Sequence, residues 1–78
     1  MTAEERIVDL VKPNIMDCIP SFIKRHVVRK NCQWIAREYP ALYAVFSEEN
    51  EPDEPEKAEM AEIANGIFEA QIRERQMR

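Results

Sequence analysis

Gly66 is the only glycine in the chain's 78 residues. Tight hairpin turns draw on glycine for positive φ, and an Asn-Gly turn signals a hairpin only between alternating strands. Asn65-Gly66 has no such flanks: Glu62-Ile63-Ala64 precedes it and Ile67-Phe68-Glu69 follows. No segment alternates apolar and polar residues cleanly over the length of a strand, so an all-α fold is expected in preference to sheets. Five prolines then punctuate the helical patterns.

The expected architecture is a small bundle of three main helices plus one short helix, with an acidic, proline-containing linker before the last. Thr2 and Glu5 have the spacing of a capping box, and Ile7, Leu10 and Val11 supply an apolar stripe for a first helix that Pro13 ends or kinks. Residues 14–19 read either as a short helix or as an apolar connector. The second helix runs from Pro20 to Glu38, with Ile23, Val27, Val28, Trp34 and Ile35 on one broad side. Tyr39-Pro40 interrupts it, because the residue before proline is pushed out of helical geometry. Ala41 to Phe46 forms the short helix, with Leu42, Val45 and Phe46 as its buried edge. Residues 47–56 hold two prolines and six acids, a solvated linker. Asp53 or Glu54 caps a last helix from about Pro55 to Gln76, which packs through Met60, Ile63, Ala64, Ile67, Phe68 and Ile72. That stripe keeps phase across Gly66, which favours a continuous helix over a stop.

A chain of 78 residues forms one domain with a small core, here residues 1–78 with the 47–56 linker inside it. No apolar run approaches the ~20 residues that span a bilayer, and the acidic start is unlike a signal peptide. A cytoplasmic location is expected, with no membrane partner and with Cys18 and Cys32 reduced. Three or four short helices cannot cover every apolar face, so self-association is expected. The simplest form is a C2 homodimer through Leu42, Tyr43 and Phe46 or through the last helix.

Catalytic and metal chemistry find little support. His26, the one histidine, lies among cations with no acid placed to orient it. Cys18, His26 and Cys32 match no structural zinc spacing and lack a fourth ligand. One glycine cannot build a phosphate loop, and residues 48–56 lack the ligand spacing of a calcium loop. Neither a catalytic site, a metal site nor a cofactor is expected.

Charge is the informative global feature. Residues 1–40 balance to +2 and residues 41–78 to −6, within a net −4. Arg25, Arg29, Lys30 and Arg37 spread over an arc of about 140° on the second helix with no acid among them. Three occupants compete for this basic face: the chain's own 48–56 segment, an acidic protein, or nucleic-acid phosphate. The negative total charge places protein ahead of nucleic acid. A helix-turn-helix reading fails, because Ala-Leu-Tyr-Ala-Val-Phe after the Tyr39-Pro40 turn offers little to a base edge. The stretch from Phe22 to Pro40, with Arg25 and Arg37-Glu38-Tyr39-Pro40, resembles the small helical theta subunit of bacterial replicative polymerases; the acidic linker and long last helix depart from that pattern, and no membership follows from it. The sequence thus points to a non-enzymatic protein–protein interaction module: an adaptor, regulatory subunit or inhibitor of a larger protein. Its candidate contacts are the basic face together with Trp34, Leu42, Tyr43 and Phe46. The alternative is a nucleic-acid-associated protein using the same basic face.

Overall fold

The computed structural model describes residues 2–75, and all of its regular structure is helical. The helices are α1 (Ala3–Val8), α2 (Pro13–Asp17), α3 (Ser21–Glu38), α4 (Pro40–Ser47) and α5 (Glu54–Arg75). The expected extension of the last helix to Gln76 lies outside the described residues.

Local chemistry fixes each boundary. The Thr2 hydroxyl accepts from the Glu5 N–H at 3.2 Å, and the Glu5 carboxylate accepts from the Thr2 N–H at 2.9 Å. That backbone N–H, aided by the Thr2 hydroxyl, holds the Glu5 carboxyl below its ordinary pKa. Helix α1 then stops earlier than the sequence pattern suggests. The Leu10 and Val11 N–H groups bond back three residues, to Ile7 and Val8, and tighten the chain into a turn. Pro13 therefore opens a helix instead of ending one: it stands at the first position of α2, where its missing N–H is no loss. The ambiguous 14–19 stretch belongs mainly to this short helix. Pro40 likewise opens α4, after Tyr39 breaks away at φ −131° and ψ 61°. At the start of α5, Asp53 and Glu56 form a second reciprocal box, each side chain accepting the other's N–H at 3.0 Å.

Ile7, Val11, Ile15 and Ile19 recur every fourth residue through α1, its turn, α2 and the connector, and all are buried. They meet Val27, Cys32 and Ile35 of α3, Phe46 of α4, and Met60, Ala64 and Phe68 of α5. Burial of such side chains contributes roughly 1.5–3 kcal/mol each, the main drive for a domain of this size. Helix α5, 22 residues and so about 33 Å long, matches the 34 Å long axis of the molecule.

Two polar side chains fix how the pieces join. The Asn65 amide donates to Leu10 O at 3.0 Å and to Ala61 O at 2.7 Å, and its carbonyl accepts the Lys12 N–H at 2.8 Å. Asn65-Gly66 is thus no turn: α5 is continuous there, and Asn65 pins the α1–α2 junction against it. The Arg6 guanidinium reaches the end of α4. Its Nη1 donates to the carbonyls of Phe46 (3.2 Å), Glu48 (2.7 Å) and Asn50 (3.3 Å), and its Nη2 donates to that of Glu49 (3.1 Å). The acidic linker is therefore anchored through its backbone, while Pro52 is buried.

Candidate interaction surface

Helix α3 buries Val27, Asn31, Cys32 and Ile35 and turns the opposite side to solvent. Measured from Phe22 at 100° per residue, Arg29 and Gln33 lie within about 20°, His26 about 40° away, Arg25 and Arg37 about 60° away, and Lys30 about 80° away. All of these side chains are exposed. Phe22 is 87% exposed. An aromatic ring therefore stands at the N-terminal end of a cationic helix face roughly 22 Å long.

Sequence reading missed Phe22 as a contact residue. The signal was present: on a helical wheel Phe22 falls between Arg25 and His26, on the side with no other large apolar residue.

The four cations differ in their surroundings. Arg25 borders a cleft of about 330 Å³ shared with Glu4, Glu5 and Asp9 of the α1 segment, so it sees acids at a distance. Arg37 meets its neighbour Glu38 at 3.5 Å, an exposed contact that contributes little. Arg29 and Lys30 form no ion pair among the described residues. Among the described residues no carboxylate of 48–56 forms an ion pair with this face: the one linker carboxylate held in an ion pair is Glu51, and its partner is Lys57 of α5 at 3.3 Å.

The apolar candidates divide. Trp34 is half-buried and packs against Tyr39 with ring centroids 6.0 Å apart at 60°. Leu42 and Tyr43 are half-buried. Phe46, expected as a docking residue, is 1% exposed and belongs to the core. Helix α4 packs its apolar edge against α1 and α3, which leaves Phe46 nothing to offer a partner while this fold persists.

Reactive groups are muted. Burial pushes the Cys32 thiol up to about 12, with the charge of Glu4 adding to the rise. Burial likewise raises the Tyr43 phenol, with smaller contributions from Cys32 and Glu4. Cys18 is free and donates to Asn14 O at 3.3 Å. Among the described residues, no group of three His, Cys, Asp or Glu side chains is placed to share a metal ion, and no helix is long and apolar enough to cross a membrane. Asn31 is a further residue that the sequence did not flag: it is 1% exposed, and its Nδ2 has no partner among the described residues. Gln71 Oε1 also has none among the described residues, and both residues line the same small cleft beside Lys30 and Arg37.

No protein-family model, curated protein or solved structure matches the chain.

Proposed function

We propose that this chain is a non-enzymatic interaction module that docks a larger protein bearing an acidic surface onto the exposed face of α3. The supporting observation is Phe22, 87% exposed at the end of a cationic arc. Leaving a phenylalanine in water forfeits roughly 1.5–3 kcal/mol of burial, and no contact among the described residues recovers it. An aromatic anchor surrounded by a charged rim has the anatomy of a binding hot spot. In this reading Phe22 enters a pocket on the partner, while Arg25, Arg29, Lys30 and Arg37 steer and orient the encounter. Trp34 and Leu42 extend the apolar contact at the far end. The two free thiols suit a reducing, cytoplasmic setting.

The same observation carries the second reading, because an exposed aromatic among cations also suits stacking on single-stranded nucleic acid. The chain's −4 net charge weighs against it. Two variants test the choice: Phe22→Ser, and a fourfold change of Arg25, Arg29, Lys30 and Arg37 to Ser. Capture from source lysate with and without nuclease, and titration of a labelled oligonucleotide over salt, are measured for each. The module reading expects a nuclease-resistant protein that both variants release while their melts stay near the parent's. Retention by both variants refutes it. Oligonucleotide binding that falls steeply with salt and is lost in both variants transfers the function to nucleic acid.

A further inference from the structure

A second face of the molecule carries a different feature. Between the C-terminal part of α3 and the middle of α5 runs an open groove of about 590 Å³, floored by Gly66 and Ala70 and walled by Ile63, Ile67, Trp34 and Tyr39. A methyl group built on Gly66 would meet nothing within 4 Å, so this floor is bare. Charge is graded along the groove. Glu59 and Glu62 border it toward the start of α5, and a neighbouring hollow shared through Tyr39 and Glu59 adds Glu56. Toward the end of α5, a cleft sharing Trp34 and Ile67 with the groove adds Lys30 and Arg37. Arg73 stands beyond it, exposed, with Glu69 at 2.9 Å as its in-chain partner.

We propose that the occupant of this groove is a second copy of the chain, its α5 laid antiparallel across Gly66 on a two-fold axis. The arrangement of charge is the reason. Glu59 and Arg73 each lie seven residues from Gly66, about 10.5 Å to either side along the helix. Seven residues also return to within about 20° of the same angular position, so both share the face that Gly66 presents. Under the two-fold, Glu59 of one copy comes level with Arg73 of the other, twice. The Glu56–Glu59–Glu62 end then covers the Lys30–Arg37–Arg73 end in both directions. A parallel arrangement would stack acid on acid. Gly66 and Ala70, one helical turn apart, let the second backbone come close, and the Trp34–Tyr39 pair closes one side. Phe22 lies about 18 Å up α3 from Trp34, so the dimer leaves the Phe22, Arg25 and Arg29 end of the proposed partner face open, once per copy, and draws Lys30, Arg37 and Trp34 into its own contact.

The test is sedimentation of the full chain up to high micromolar concentration, with helicity checked for each variant. The parent is expected to dimerise reversibly. Glu59→Arg and Arg73→Glu each set like charges opposite one another at two symmetric places and should weaken the dimer about tenfold or more. An equimolar mixture of the two variants, or the double variant in one chain, should restore association, because every facing pair is again opposite in sign. Gly66→Leu should abolish it without lowering the melt. A parent that stays monomeric overturns the proposal. So does a dimer that ignores the single charge reversals, or reversals that mixing fails to rescue. None of these variants alters Phe22, Arg25 or Arg29, and Phe22 lies outside the dimer contact, so Phe22→Ser remains a separate test of the proposed partner face.

Discussion

Replacing Arg6 by alanine should cost this small domain about 2 kcal/mol, and the reason lies in backbone carbonyls rather than charge pairs. A helix end leaves its last carbonyls without intrahelical donors, and the irregular segment after α4 adds more. One guanidinium reaches four of them, on Phe46, Glu48, Glu49 and Asn50, at 2.7 to 3.3 Å. Charge-assisted hydrogen bonds are among the stronger ones, but three of these four are exposed, where water competes. Taking about 0.5 kcal/mol net for each gives about 2 kcal/mol in all. For a domain of this length the loss corresponds to a melting temperature about 10 °C lower. Arg6→Lys should recover less than half, because an ammonium cannot spread donors over four carbonyls as the planar fork does. Circular dichroism melts give the first number. Amide exchange gives the second: protection should fall selectively over residues 45–52 before it falls in α3. An Arg6→Ala melt within about 3 °C of the parent, or full rescue by lysine, would refute the role assigned to the fork.

Gly66→Ala should raise stability by roughly 0.5–1 kcal/mol in the monomer, since the helix is continuous there and the site is open; a lower urea midpoint would contradict this. Asn65→Ala removes three hydrogen bonds to the α1–α2 junction and to α5 itself and should cost about 2 kcal/mol, read by chemical denaturation. Asn65→Asp should do no better at neutral pH, where a carboxylate would face the Leu10 and Ala61 carbonyls, and should improve relative to alanine in acid. In the native protein, alkylation at pH 8 should label Cys18 well before Cys32, as mass spectrometry of digests would show. The Cys32 thiol titrates near 9.0 when unfolded and about 12 when folded, so stability should hold below 9.0 and fall as pH rises from there toward 12.

The long elements were legible because their signals repeat. Five turns of apolar spacing define α3, and an acidic start with a continuous stripe defines α5. Pro13 was read as a stop because proline disfavours the helix before it, yet it equally suits the first position of the next one. Only the tight turn at Leu10 and Val11 decides between these, and that turn has no composition of its own. Residues 13–17 make too few turns for periodicity to speak. The Arg6 contact was invisible for a different reason: a side chain that binds carbonyls leaves no mark on the residues it binds. Asn65 resembled half of a turn dipeptide, while its amide acts inward across the fold. In the candidate surface, the cations were read correctly as exposed. Phe46 was not, because exposure depends on which neighbours cover α4, and those come from α1 and α3 through the tertiary fold.

The backbone anchoring of the linker also explains why the chain can stay polarised. Six carboxylates lie within ten residues, and a simple charge argument would fold them onto the α3 face. Exposed ion pairs contribute only about 0–1 kcal/mol each, less than the four carbonyl contacts and the burial of Pro52 that hold the segment elsewhere. Glu48, Glu49, Glu51, Asp53 and Glu54 consequently remain exposed, and beyond about 8–10 Å salt screens their pull on distant cations. The basic face keeps its field while the net charge stays negative. Under the proposed reading, a surface so divided would attract an acidic partner in one orientation and turn it away in the other, which argues for oriented docking onto α3 over unspecific adhesion to polyanions.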